Sequence, residues 1–360
     1  MKNFLIISIL SLALGFSQQL SEVIETFHNG NVKSITYHQK TRNEIEKVKE
    51  EKYYVNGQKK SEGLIINGDS TGMWISWYEN GEKSYEGTFK DGEKDGNWIE
   101  WDEEGNKIQF IFKNGNKSSK ETYKDGKKDG LSISWYDNGQ KEKEGSFRNG
   151  QEDGLWTHWH VNGKRSFEGT FKDGKQDGSI ISWYENGKKS YEGTFIDGKQ
   201  DGLMISWYDD GQKEKEENFR YGKEDGLVIL WYENGEKSHE GIFKDGEKDG
   251  NWIEWDEEGN KIQFIFKNGN KKSKDTYKDG KKDGLSISWY DNGQKEKEGS
   301  FRNGQVDGLW IHWYANGKRS FEGTFKDGKQ DGLGLYWYEN GKKSYEGTFE
   351  DGELIKEKLY

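Results

Sequence analysis

The sequence lacks cysteine and proline, and only 30% of its 360 residues are apolar. Without cysteine there are no disulfides, no thiol nucleophiles and no thiolate zinc sites. A chain so poor in apolar residues normally stays disordered. The rings argue otherwise: aromatics make up 15%, with 16 Trp. The composition describes a thin folded structure with little interior, held by large side chains. There is no basic excess either. The net charge is −11, and Lys and Glu are interspersed. That pattern is a solvated surface and argues against nucleic acid, whose phosphates need a basic stripe.

Long hydrophobic runs are missing beyond the first residues. Met1–Ser17 has Lys2, an apolar run from Phe4 to Leu14, then Gly15-Phe16-Ser17. This is the layout of a secretory signal peptide, with cleavage expected after Ser17. The run is too short for a bilayer core of about 30 Å. An uncleaved anchor is the alternative, and the missing cysteine excludes a lipoprotein. The expected location is secreted, periplasmic or cell-surface.

What the chain has in abundance is a repeat. Trp-Tyr-Glu-Asn-Gly at Trp77–Gly81 recurs closely from Trp135, Trp183, Trp231, Trp289 and Trp337, and more loosely from Trp101, Trp159, Trp207, Trp255 and Trp313. Neighbouring anchors are 24 residues apart, except for steps of 34 from Trp101 to Trp135 and from Trp255 to Trp289. A fixed period in this range marks a repeat array. Residues 18–68 hold degenerate copies and read as an N-terminal cap, with 41–52 a charged helix or loop. Residues 69–352 form the array and 353–360 a C-terminal cap.

Each unit alternates ring and polar residues, as in Lys83-Ser84-Tyr85-Glu86-Gly87-Thr88-Phe89, between Asn-Gly and Asp-Gly turn signals. This is strand patterning, and with no helical period the economical path is an antiparallel β-meander. The expected fold is all-β: an elongated, single-layer, twisted meander of 24-residue hairpins, more than about 100 Å long at about 4.8 Å per strand. Two residues before the anchor stands Ile in most units, and four before it most often Leu. That constancy puts Trp, Ile and Leu on the packed face. A three-residue loop Glu79–Gly81 then sets Tyr85 opposite Ile75, and a five-residue loop Lys90–Lys94 completes the unit. Six residues past every anchor is Lys or Arg. The register predicts a structural ladder in which Lys83 lies between Trp77 and Trp101, with Trp135, Trp183, Trp231, Trp289 and Trp337 in equivalent places.

The unit Tyr85-Glu86-Gly87-Thr88-Phe89-Lys90-Asp91-Gly92, followed by Asp95-Gly96, resembles a MORN repeat (membrane occupation and recognition nexus). The Trp-Tyr-x-Asn-Gly half resembles the bacterial MORN-variant subfamily. Phe89 and Phe171 stand where the pattern has Trp, and Glu217 and Ile111 where it has Gly. The resemblance covers roughly residues 53–352. It implies a single-layer antiparallel sheet but no one activity. Relatives are linked to protein scaffolding, to lipid contact and, in bacteria, to antitoxin-type proteins.

Residues 77–198 reappear almost unchanged as 231–352. Both 34-residue steps lie inside the duplication, and each excess is expected as a longer hairpin or bulged loop, because one added strand would reverse the chain direction. The Asp-Gly-x-x-Asp-Gly turns suit turn chemistry better than calcium. His158, His160 and His312 read as solvated side chains. No nucleophile motif, phosphate loop or distinctive carboxylate pair is present, so neither enzyme activity nor a metal or cofactor is expected. The candidate binding surface is a line of rings on the face opposite the anchors: Trp98, Trp156, Trp252 and Trp310, with Tyr78, Tyr136, Tyr184, Tyr232, Tyr290 and Tyr338. The leading expectation is an exported, non-enzymatic scaffold or adhesin that binds a protein partner. The alternatives are binding of a glycan or cell-envelope component through those rings, and an antitoxin-like or lipid-contacting protein, the latter unsupported by charge.

Overall fold

The computed structural model describes residues 20–40 and 44–360, together with the backbone of Leu5–Ser8. Leu5–Ser8 pairs antiparallel with Ser21–Ile24. The rest of the expected signal segment, including Ser17, lies outside the described residues. The chain divides into two units, Met1–Gln176 and Asp177–Tyr360. Each is an antiparallel meander in which strands pair with their neighbours in sequence, and no helix occurs among the described residues. The charged stretch expected as helix or loop is a strand, Ile45–Tyr53, paired with Val32–Lys40 and Lys59–Ile66.

The strand ends follow from turn chemistry. Lys90 pairs with Glu93, so the expected five-residue loop is a two-residue turn, Asp91-Gly92. Both residues have positive φ, 50° and 80°, the type I′ geometry that matches strand twist. At the other end, Tyr78 N–H bonds to Glu82 O at 2.8 Å, and the Asn80 side chain accepts from Glu82 N–H at 2.9 Å.

This second loop decides the faces. Trp77 pairs with Lys83 as expected, but a bulge follows, so Ser76, not Ile75, faces Tyr85 and Trp74 faces Gly87. Because side chains alternate with period two, one extra residue transfers the whole downstream strand to the opposite face. The packed face is therefore the one carrying Tyr85, Gly87, Phe89 and Trp98. The face expected to be packed is the more open one.

The 34-residue steps also differ from expectation. Each excess is a complete extra strand. Lys107–Lys113 and Asn116–Lys124 separate Glu93–Trp101 from Lys127–Trp135, and Asn270–Lys278 does the same in the second unit. The chain direction does reverse, and the anchor loops cross to the other edge of the sheet. Lys113, beside the Asn114-Gly115 turn, reaches Asp137 in the Trp135 loop at 2.9 Å. The local packing of L-residues has a fixed hand. Reversing strand direction while the meander advances the same way is a half-turn about its axis of advance, and it exchanges the faces. The register shows it: Trp98, Phe110, Lys120 and Ile133 align on one face. Ser132, Gly145 and Trp156 lie on the other. In the second unit, likewise, Met204, Val228, Trp252 and Phe264 share one face, and Trp310 lies opposite. At the first crossing the sheet is polar: Glu121 takes Lys128 and the Tyr123 hydroxyl. Burial and that carboxylate push the Tyr123 phenol up to about 12.

Candidate interaction surface

The four tryptophans expected on an exposed face are core residues. Trp98, Trp156, Trp252 and Trp310 are only 1, 2, 4 and 8% exposed. Each indole lies flat on a glycine of the preceding strand, Gly87, Gly145, Gly241 and Gly299 in turn, so that a Cβ there would fall inside the ring. Phe89 meets Trp98 edge-on with centroids 4.9 Å apart. Lys94 caps the same indole at 4.0 Å, and Lys248 caps Trp252 at 3.6 Å. Burial lowers the Lys248 ammonium below its ordinary range. The side chain at this position changes from unit to unit (Trp98, Met204, Val228), yet it is buried throughout these cases. Variability here reflects how each ring fills the space over its glycine. It does not mark exposure.

The tyrosines that follow the anchors are stitches between repeats. The hydroxyl of Tyr78 donates to the carbonyl of Trp101, one repeat on, at 2.5 Å. Tyr136 does so to Trp159, Tyr184 to Trp207, Tyr232 to Trp255 and Tyr290 to Trp313, all at 2.6–2.7 Å. Burial raises the Tyr184 phenol, with Glu214 and Asp209 adding to the effect. Tyr338 follows the final anchor and is 54% exposed.

The cation ladder forms one step further along than the pairing partner. Lys83 lies over Trp101 at 5.9 Å, Lys189 over Trp207 at 5.9 Å and Lys213 over Trp231 at 5.8 Å. The ladder breaks before Trp135 and Trp289. There Lys107 and Lys261 cover Tyr123 and Tyr277, on the extra strands, at 4.2 and 4.6 Å. Trp135, Trp183, Trp289 and Trp337 pair across the hairpin with their own Lys141, Lys189, Lys295 and Lys343. Most of these lysines also meet a Glu three residues on, as Lys83 meets Glu86 at 2.6 Å. At such exposure each contact is worth at most about 0.5–1 kcal/mol.

Two of the histidines, His158 and His312, are packed. His158 lies against Phe167 at 5.0 Å and His312 against Phe321 at 5.2 Å, and burial lowers both imidazoles. The second Asp of each Asp-Gly-x-x-Asp-Gly turn caps the next turn along the edge: Asp129 accepts from Asn149 N–H and Asp283 from Asn303 N–H, each at 2.9 Å. Among the described residues no group of three or more His, Asp or Glu is placed to hold a metal. None of their helices is long and apolar enough to cross a membrane.

The exposed apolar surface includes the leucines four residues before the anchors, expected on the packed face from their constancy. Exposure runs from 37% at Leu131 to 54% at Leu155, with Leu203, Leu227, Leu285, Leu309 and Leu333 between. In the first unit the row holds Leu131 and Leu155. In the second, Leu203 and Leu227 lie on one face, and Leu285, Leu309 and Leu333 on the other. One signal was available in the sequence: the cross-strand partners are mostly Ser, Thr or Asn, as in Leu155–Thr170 and Leu203–Asn218. A core face would pair these leucines with rings or glycine.

Two repeat families match this architecture. MORN repeats match at residues 167–179 and 321–343, and the MORN repeat variant at 70–91, 128–149, 176–197, 200–221, 282–303 and 306–327. No curated protein matches the chain. MORN repeat proteins are generally non-enzymatic scaffolds for protein or membrane interaction. The matched segments, with their two-strand units and 24-residue step, support assignment of the chain to the MORN repeat family.

Proposed function

We propose that the chain is an exported, non-enzymatic scaffold that binds protein partners through its leucine rows. The carrying observation is the recurring aliphatic position itself: side chains 37–54% exposed at Leu131, Leu155, Leu203, Leu227, Leu285, Leu309 and Leu333, seven of the eleven repeats. A monomer gains nothing from holding a periodic apolar row in water, and exposed patches of this kind mark interfaces. Alternate strands place successive leucines about 9–10 Å apart. That spacing suits an extended or helical partner surface.

Leu203→Asp with Leu227→Asp tests the reading, since neither side chain contributes to the ring core. Cross-linking in producing cells should capture a defined partner with the natural chain and lose it with the double variant. Equal capture by both refutes the rows as the interface. Export is read from the N-terminus: mature protein outside the cytoplasm should begin at Gln18. An intact Met1 form confined to the cytoplasm refutes export.

A further inference from the structure

The second unit has two leucine faces, and they differ. Leu203 and Leu227 lie on one side of its sheet. Leu285, Leu309 and Leu333 lie on the other, beyond the strand Asn270–Lys278 where the faces exchange. This second face is the longer, and its strands alternate in character. One strand of each hairpin carries an apolar stripe, as in Leu309-Ile311-Trp313. The strand paired with it carries a polar one, as Glu322 opposite Ile311 and Thr324 opposite Leu309. The three leucines are 37, 48 and 46% exposed.

The duplication supplies an internal comparison. Where the second copy has Ile311 and Leu333, the first has Thr157 and Ser179. Both exchanges trade a hydroxyl for an aliphatic side chain, and both fall on this outer face, away from the rings. One exchange runs the other way, Ile196 to Glu350, beside the Asp351-Gly352 turn at the sheet's edge. Adding aliphatic groups to an open face lowers solubility and fills no core, which marks a face that is covered.

We propose that this face packs on the same face of a second copy of the chain, as a two-layer β-sandwich. The proposal rests on the reading of the leucine rows as interfaces and names the partner of one row. Charge selects a second copy. The face carries Lys295, Arg319 and Lys343, each paired with the Glu three residues on, Glu298, Glu322 and Glu346. It is neutral in a chain of net charge −11. Two such faces meet without net repulsion and leave no cation without its carboxylate. A strongly acidic or basic partner would find no complement there. The area agrees. Three hairpins give six strands about 4.8 Å apart, each of about eight residues at about 3.3 Å, so the face measures about 29 by 26 Å. That is close to the ~800 Å² per partner of a stable interface. The period agrees as well, since a second copy brings apolar stripes at the same pitch of about 9–10 Å. A two-fold axis lets one patch serve both chains. Leu203 and Leu227, on the far side of the sheet, then stay open for a different protein.

The test is sedimentation equilibrium of the full chain from about 1 to about 100 μM. The natural chain should reach the mass of two copies. Leu309→Asp with Leu333→Asp should weaken association at least ~10-fold, with circular dichroism unchanged because both side chains lie opposite the ring core. Ile311→Thr with Leu333→Ser restores what the first copy carries, so it should fold normally and also weaken association. Leu203→Asp with Leu227→Asp should remain dimeric. A monomer throughout the range overturns the proposal. So does a dimer that the Leu309 and Leu333 changes leave intact, or one that the Leu203 and Leu227 changes dissolve. A monomer whose Leu203 row still captures a partner refutes this pairing and leaves the scaffold reading standing; a dimer whose Leu203 row captures nothing does the reverse.

Discussion

Gly87→Ala tests whether the ring face, and not the isoleucine face, is the core. The backbone at Gly87 has no positive φ, so alanine suffers no conformational penalty there. On backbone grounds alone, alanine in a strand is better than glycine by about 0.5–1 kcal/mol. The new methyl would stand inside the Trp98 indole, which is 1% exposed and hemmed in by Phe89 and Lys94. Overpacking of this kind costs about 1–3 kcal/mol, and displacing the ring also loses the Lys94 contact, about 0.5–1 kcal/mol. The balance is a net loss of about 1–2 kcal/mol, or about 5- to 30-fold in local opening. Repeat arrays unfold locally, so amide hydrogen exchange of the whole chain is the assay. Strands Lys83–Lys90 and Glu93–Trp101 should lose protection by that factor, while Arg165–Lys172 stays unchanged. The chain already contains the compensated pair: Glu217 occupies a glycine position and faces Val228, not an indole. In a Trp98→Val background, Gly87→Ala should therefore be neutral or stabilising. Unchanged protection after Gly87→Ala alone, or an equal loss in both backgrounds, refutes the packing argument.

Three further predictions follow from the geometry. Tyr208→Phe deletes the hydroxyl that donates to the Trp231 carbonyl at 2.7 Å; it should cost about 0.5–1.5 kcal/mol, read as faster exchange at the loops of those two anchors, and an unaffected loop would mean that water serves the carbonyl as well. Glu51 is buried; burial alone would raise its carboxyl, but hydrogen bonds from Lys49 and Tyr53 and the charges of Lys49 and Lys59 hold it at about 2. A depressed folded pKa gives stability that is present above the unfolded value, near 4.5, and lost as pH falls towards 2. Strands Ile45–Tyr53 and Lys59–Ile66 should therefore loosen across that acid window in the natural chain, and Glu51→Gln should remove that dependence; an unchanged acid transition in the variant would refute it. The strand reversal is open to cross-linking, since the chain has no native cysteine: Lys113→Cys with Asp137→Cys should join through a short bifunctional reagent, and Glu103→Cys with Asp137→Cys should not. The opposite result would restore the longer-loop reading of the 34-residue step.

The strand content, the antiparallel meander and the 24-residue unit were legible in the sequence, because turn residues and period-two alternation are local signals. The pairing of Trp77 with Lys83 was legible for the same reason. The strand reversals after Trp101 and Trp255 had a signal that only the fold makes readable. Both extra strands follow an anchor loop with Asp, at Asp102 and Asp256, where the other loops have Tyr or, once, His160. The bridging Tyr is missing where the next loop on that edge is missing.

The sequence by itself determined which segments are strands, where they turn, and that the unit repeats. Tertiary structure decided which face is the core and where it changes sides. One bulged residue at every anchor hairpin except those after Trp101 and Trp255 shifts the strand's side chains to the other face, and no composition rule registers a single residue of slip. Constancy at Ile and Leu pointed to burial, while the buried position varied because each ring is fitted to the space above a glycine on another strand. The exchange of faces at the extra strands arises from handedness, a property of strands assembled into a sheet and of no strand alone.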